Sequence, residues 1–336
     1  MGVDPVVAFA PGRVNLIGDH TDYTGGLCLP MAVTRGVTIR GVRGGESVRL
    51  RSDDDETPAD VPIDVADPSA MSPSWSRYVA GVVAEVRPVV GFAGTVHSDL
   101  PIGAGLSSSA ALEVAVALAL GATDAPRDLA ALCQRAEQRA SGVPCGILDQ
   151  LSSTSGVEGH ALFMDCSLET TSPVPVPDAI EFVVVHSGQE RTLAGSAYGT
   201  RREECRHAES AIGPLRSATT DDVRSIADPT LRRRARHVVT ENQRVRDTTA
   251  ALAEGDIAAV GAIFLASHAS LRDDFECSTP IVDAVVDRLR ATPGVHGVRM
   301  TGGGWGGCVV AVAEPGALDE GWVVAPGGPA RLLAAD

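Results

Sequence analysis

Pro101-Ile-Gly-Ala-Gly-Leu-Ser-Ser-Ser-Ala-Ala111 runs without a break into Leu112-Glu-Val-Ala-Val-Ala-Leu-Ala-Leu120. Gly103 and Gly105 permit a tight turn and close backbone approach. From Ser107 to Leu120 the chain is rich in Ala, Leu and Val, starts with serines and contains neither Pro nor Gly, which predicts a helix. A helix that starts at such a turn points unpaired N–H groups outward, a backbone-built anion site suited to a polyphosphate. The serines add hydroxyls for phosphate or a metal ion. Spacing alone supports a plain serine-capped helix after a glycine turn equally well.

Upstream, Val6–Ala8, Val37–Val42 and Val48–Leu50 read as short strands and Asp53–Glu56 as an acidic loop. Downstream, Arg127–Ala140 is a second helix, with Leu129, Leu132, Cys133 and Ala136 on one face. After Gly142-Val-Pro the texture changes. His160–Asp165 and Glu181–His186 read as strands, and Pro173–Pro177 as a linker. Leu193–Ile212, Thr230–Ala253 and Ile281–Ala291 read as helices. Arg232-Arg233-Arg234 is expected to be a solvated basic face, as are Arg201, Arg202, Glu203 and Glu204. Val298–Thr301 and Cys308–Val312 read as strands flanking a glycine cluster. Roughly the last 20 residues are rich in Pro, Gly and Ala and are expected on the surface. Strands and helices mix without regular alternation, so the expected class is α+β in two lobes, residues 1–170 and 171–336.

Composition narrows the function. A length of 336 residues suits two domains, and a hydrophobic fraction of 44% supports a sizeable core. A net charge of −15 argues against nucleic-acid coating and anionic membranes. All 28 basic residues are arginine. Without lysine there is no Walker A loop, no protein-kinase strand lysine, no pyridoxal enzyme and no Schiff-base aldolase. The seven cysteines are scattered without a CxxC, the pattern of a reduced cytoplasmic protein. Met1-Gly2-Val3-Asp4-Pro5 lacks a signal-peptide start, and Val6 breaks the myristoylation pattern. The longest apolar stretch, near Val114–Leu120, falls far short of the ~20 residues of a membrane span.

Three further segments carry polar chemistry. Ala10-Pro-Gly-Arg-Val-Asn-Leu-Ile-Gly-Asp-His-Thr-Asp-Tyr-Thr-Gly-Gly26 packs Arg13, Asp19, His20 and Asp22 between glycines. Carboxylates beside a histidine suit a polyhydroxylated ligand, and a polar turn between strands is the plainer alternative. Val298-Arg-Met-Thr-Gly-Gly-Gly-Trp-Gly-Gly-Cys308 satisfies GxGxxG, but it leads into a Val-rich strand, so it is not a dinucleotide fingerprint. Glu137 is followed by Gly146-Ile-Leu-Asp-Gln150, whose Asp149 is the only carboxylate between Ser141 and Thr154. The remaining histidines (His97, His160, His207, His237, His268 and His296) show no metal-ligand spacing.

In this order, GRVNLIGDHTDYTGG, PIGAGLSSSA, CGILDQ, Ala194–Cys205 and MTGGGWGGC resemble the signature motifs of the GHMP kinases. The first motif with CGILDQ is similar to the galactokinase-like sugar kinases in particular. The resemblance covers residues 8–313. It implies a two-lobed GHMP kinase fold, with an N-terminal ribosomal-protein-S5-like domain, a C-terminal ferredoxin-like domain and the active site in the cleft between them. The activity implied is ATP-dependent phosphorylation of the anomeric hydroxyl of galactose by a monomer, with no nucleic-acid or membrane partner. Gly103, Ala104, Gly105, Leu106, Ser107, Ser108 and Ser109 would hold the ATP phosphates. Ser109 and Glu137 would ligate Mg²⁺. Asp149 would face the C1 hydroxyl as base or orienting group, and Arg13 would stabilise charge on the transferred phosphoryl group. Asp19, His20, Thr21, Asp22, Gly146 and Tyr198 would hold the sugar, with the Thr301–Gly307 turn supporting it from the second lobe. Asp19 stands where similar kinases carry Glu, a side chain that reaches toward the sugar C6 hydroxyl. His186-Ser187 stands where Asn or Asp is expected, and Trp305 where Phe is usual. Asp19 keeps a second substrate open, another galacto-configured sugar that is C6-modified, C6-extended or N-acetylated. An inactive sugar and ATP sensor is the alternative of a different class.

Overall fold

The computed structural model describes residues 5–190 and 194–334. Leu193, the expected first residue of a helix, and Met1–Asp4 lie outside them.

The N-terminal lobe is built on a long antiparallel pair, β1 (Pro5–Ile17) and β2 (Leu27–Arg43). β3 (Ser47–Ser52), β4 (Ala59–Pro62), α1 (Ser76–Val86) and β5 (Phe92–Ser98) follow. Next come α2 (Ser108–Leu120), α3 (Pro126–Ser141), α4 (Leu148–Ser155), β6 (His160–Asp165) and β7 (Thr170–Pro175). β5 inserts between β2 and β3, pairing antiparallel with the first and parallel with the second. Apart from Glu113, α2 is apolar all round and buried from Ala110 to Leu120, which makes it the central helix of this lobe.

The C-terminal lobe comprises β8 (Glu181–His186), α5 (Ala194–Ile212), α6 (Thr220–Ser225), α7 (Pro229–Glu254), α8 (Ile257–Asp273), α9 (Pro280–Leu289), β9 (Val295–Thr301), β10 (Cys308–Ala313) and β11 (Trp322–Val324). Its four strands form an antiparallel sheet in the order β11-β8-β10-β9. α7 is stopped cleanly at both ends. The Asp228 carboxylate accepts from the N–H groups of Thr230 and Leu231, Pro229 occupies the first turn, and Gly255 adopts the left-handed C-cap. α8 lies close on β9, because a Cβ on Gly261 would collide with the His296 carbonyl.

The structure differs from the sequence expectations in three places. Pro173–Pro177 is not a linker: β7 pairs with β6 from Thr170 to Pro175, so the crossing between sheets falls at 176–180. The C-terminal tail lies largely at the surface but is not irregular throughout, because β12 (Arg331–Leu333) returns to the first sheet and pairs with β1. Nor is the arginine run a uniform solvated face. Arg234 is buried, donates through Nε to Glu204 at 2.7 Å and through Nη2 to Glu276 at 2.5 Å, and so joins α7 to α5 and to the turn after α8. Arg201 is likewise turned inward, with Nε donating to the Phe275 carbonyl at 2.7 Å.

Candidate active site

A cavity of about 480 Å³ opens between the lobes. Along β1, side chains alternate between two faces. Val14 and Leu16 enter the core, while Arg13 and Asn15 line the cavity, with register shifts beside each. The loop after β1 adds Asp19, His20 and Asp22, the segment before α4 adds Gly146, α4 adds Asp149, and α5 adds Tyr198. Gly302 and Gly303 of the glycine turn close it from the C-terminal lobe.

Asp149 stands in the first turn of α4 and is held on both oxygens. Arg13 reaches Oδ1 with Nε at 2.7 Å and Nη2 at 2.5 Å. The Ser107 hydroxyl donates to Oδ2 at 2.5 Å. Arg13 also donates through Nη1 to the Gly105 carbonyl at 2.9 Å, so one arginine joins the acid to the glycine turn. Ser107 is therefore no ordinary cap. It precedes α2 with φ +54°, makes no side-chain cap bond, and spends its hydroxyl on Asp149. A serine in the left-handed region is a strained choice that favours the functional reading of this loop.

The glycine turn at 101–109 is anchored by its apolar members. Ala104 and Leu106 are buried in the core, while Gly103, Ser108 and Ser109 face outward at the start of α2. Ala104 and Leu106 thus offer a ligand only their backbone. None of residues 103–109 lines the cavity, which takes in Asp149 and Glu137. Ser109 Oγ donates to Glu137 Oε1 at 3.3 Å. Gln150 donates through Nε2 to Glu137 Oε2 and, at 3.2 Å, to the buried Glu113. Burial and the neighbouring Asp149 charge push the Glu137 carboxyl up.

The loop 18–26 turns three side chains into the cavity, each held differently. His20 adopts φ +66°, bonds the Tyr23 hydroxyl through Nδ1 at 3.0 Å and lies 4.4 Å from the Phe275 ring centre. Burial and then His237 lower its pKa to about 3, so the ring is neutral. Asp22 lies against Gly146 so closely that a Cβ there would collide with its Oδ2. Burial and then the Asp149 charge raise Asp22 to about 6. Asp19 lines the cavity, but its oxygens are already engaged, Oδ2 by Arg299 at 2.6 Å and Oδ1 by the Gly302 N–H at 2.9 Å.

Thr21 is a correction. It is fully buried and its hydroxyl sits on the Gly18 and Leu27 carbonyls at 2.9 and 2.7 Å, so it braces the loop instead of lining the cavity. Sequence reading also passed over Asn15, Tyr78, Cys145 and Arg299. Asn15 lines the cavity with both amide atoms buried and unpartnered. Its signal was a polar residue set between Val14 and Leu16; Arg299, set between Val298 and Met300, carried the same signal. Tyr78 arrives from α1 with no mark in the sequence.

Among the described residues no group of three or more His, Cys, Asp or Glu side chains is arranged around a metal position. Magnesium beside a nucleotide takes only one or two protein oxygens, so the hard donors Ser109 Oγ and Glu137 Oε1 fit it. No helix among the described residues is long and apolar enough to cross a membrane. The seven cysteines are free thiols.

Comparison with known proteins agrees with this geometry. Residues 1–41 match the galactokinase galactose-binding signature, 77–157 the N-terminal domain of GHMP kinases and 248–322 their C-terminal domain. Together these define a sugar kinase of the GHMP class. The chain is 42% identical to galactokinase of Bos taurus, over 94% of this chain and 86% of that protein. It is 41% identical to galactokinase of Roseiflexus sp. (strain RS-1), over 95% and 86%. The crystal structure of Lactococcus lactis galactokinase complexed with galactose superposes with a TM-score of 0.91 at 30% identity, over 98% of this chain and 95% of that one. The chain belongs to the galactokinase family.

Proposed function

We propose that this protein phosphorylates the anomeric hydroxyl of D-galactose with ATP, giving galactose 1-phosphate and ADP. The observation that carries the reading is the position of Asp149. It lines the cavity and is tied to the glycine turn, directly through Ser107 and through Arg13 on Gly105. A hydroxyl held in the cavity and a phosphate held at the start of α2 would meet at this carboxylate.

Phosphoryl transfer asks for alignment and charge neutralisation more than covalent help. Gly103–Ser109 would receive the ATP phosphates on the N–H groups at the start of α2, a cradle that needs no lysine. The cavity acceptors Asp22 and neutral His20, the Gly146 backbone and the Tyr198 hydroxyl would hold the sugar. Asp149 would orient the C1 hydroxyl and take its proton, and the Arg13 guanidinium, shared with Gly105, would balance charge on the moving group. Ser109 and Glu137 would hold Mg²⁺, which when bound neutralises phosphate oxygens. We read the enzyme as a cytoplasmic monomer of two lobes.

The test is ADP release with ATP, Mg²⁺ and a panel of hexoses, with the product identified by phosphorus NMR. Galactose is expected to give the highest kcat/KM and a 1-phosphate product. A C6-altered or N-acetylated sugar turning over far faster than galactose would replace galactose as substrate. No turnover of any sugar in the panel would remove the kinase reading.

A further inference from the structure

Arg299 is fully buried on β9, 280 positions from the loop it holds. Its Nη2 donates to Asp19 Oδ2 at 2.6 Å, its Nη1 to the Leu16 carbonyl at 2.8 Å and its Nε to Ser267 Oγ at 3.1 Å. Glu241 Oε1 stands 3.7 Å from the same guanidinium and accepts from the Gly18 N–H at 3.1 Å and from Ser267 Oγ at 2.6 Å. Arg244 Nε donates to the other Glu241 oxygen at 2.6 Å, so two cations face two carboxylates. Burial alone would raise the Glu241 pKa, but Arg244, His237 and Arg299 bring it down to about 2. His237 Nε2 bonds the Asp19 carbonyl at 3.1 Å, and Thr301 Oγ1 donates to the Asn15 carbonyl at 2.7 Å. Beyond its pairing with β2 and the Thr21 brace, the stretch 15–19 is thus clamped at its backbone and at one carboxylate by groups of the C-terminal lobe.

Asp19 differs from Asp22 in what remains for a ligand. Its two oxygens already take a charge-assisted guanidinium bond and the Gly302 N–H, which also fixes the glycine turn over the cavity. A sugar hydroxyl would have to compete with a buried cation for that charge. Asp22, half-buried against Gly146, is reached by none of these groups.

We propose that Arg299 is the positioning residue of the sugar site, and that Asp19 acts as its counter-ion and as the anchor of Gly302 rather than as a ligand of a sugar hydroxyl. The sugar arm of this assignment rests on the sugar-kinase reading, and the closing experiment separates the two.

Asp19→Asn keeps the shape of the side chain and an acceptor for Gly302 while removing the charge. It is assayed beside the parent on galactose and its 2-, 3-, 4- and 6-deoxy analogues. Parent turnover of galactose tests the kinase reading by itself. Given that turnover, Asp19→Asn is expected to lower kcat/KM by a similar factor, within about twofold, on every sugar, mostly through KM for the sugar. One deoxy sugar indifferent to the substitution, while galactose loses tenfold or more, identifies a hydroxyl that Asp19 grips and overturns the assignment. A second arm needs no turnover. Melting temperatures are measured for Asp19→Asn, Arg299→Lys and the double variant, and the double is expected to melt no lower than the worse single. Additive losses would mean that the two side chains act separately, which also overturns it. If Arg299→Lys does not fold, the sugar panel on Asp19→Asn decides.

Discussion

The glycine turn at 101–109 and the loop at 18–26 meet on opposite sides of Asp149 and are held in opposite ways. The turn takes its shape close at hand, from the buried side chains of Ala104 and Leu106, the left-handed glycines 103 and 105 and the start of α2, and Arg13 ties it to β1. The loop is secured from far along the chain. Gly18 is held by Glu241, Leu27 by Asn242 and Asp19 by Arg299 and Gly302, at separations of 223, 215, 280 and 283 positions. A site made of backbone N–H groups needs only a local conformation, so few residues encode it. A site made of side-chain acceptors aimed at hydroxyls needs a rigid seat, and here the seat is built by another lobe. The two halves of the reaction therefore fail differently when broken.

The largest effect is expected where the halves join. Asp149→Ala removes the group facing both, and kcat should fall about 10²–10⁴-fold, the range of a positioned acid–base group. KM for galactose should change little, because the cavity acceptors remain. ADP release measures both, and a variant that keeps more than a tenth of parental kcat would contradict the assignment.

The same contrast explains what could be read in advance. The strands at Glu181–His186 and Cys308–Ala313 and the helices α2, α3 and α7 were legible because their periodicity or composition is local. α8 was not, because Gly261 interrupts its helical pattern for the sake of close contact with β9. β7 was hidden by Pro173 and Pro175, which an outer strand tolerates. In the site, Asp149, Arg13, Glu137 and the serines stand in motifs that a sequence displays. Thr21 belongs to such a motif too, and nothing local distinguishes a hydroxyl that braces a loop from one that faces the cavity. Arg299 on β9 and the neighbours Glu241 and Asn242 on α7 stand in no shared segment, and only packing brings them together.

Next in size is a break confined to the sugar side. Gly146→Ala drives a methyl group into Asp22 Oδ2. Displacing an acceptor by about an ångström can cost up to roughly a hundredfold. That loss should fall on kcat/KM for galactose and leave KM for ATP nearly unchanged. A matched break on the phosphate side is milder. Ser107→Ala removes one hydroxyl from Asp149 Oδ2 and leaves Arg13 on Oδ1. One hydrogen bond is worth about 0.5–1.5 kcal/mol, so kcat should fall a few-fold, up to roughly tenfold. Equal sensitivity of both substrates' KM values to both variants would dissolve the distinction between the two halves.

The smallest effect isolates Asp22, the sugar-side acid whose pKa is raised to about 6, by burial first and then by Asp149. Ionised, it accepts from sugar hydroxyls; protonated, it loses part of that capacity. KM for galactose should therefore rise as pH falls from 7 to 5, and the rise should be weaker in Asp22→Asn. Stability runs the other way. A carboxyl whose folded pKa lies above the ordinary value near 4 binds its proton more tightly in the folded state. Its contribution is complete below about pH 4 and is lost as pH rises through 6. Relative to the parent, Asp22→Asn should therefore melt higher at pH 7.5 than at pH 4. Calorimetry at the two pH values measures the difference between variant and parent. A difference that stays constant would mean that folding leaves the Asp22 pKa unshifted, and one that shrinks with rising pH that a partner favours its charge, in the manner of Glu241. The sugar loop would then have no acceptor kept free of the clamp.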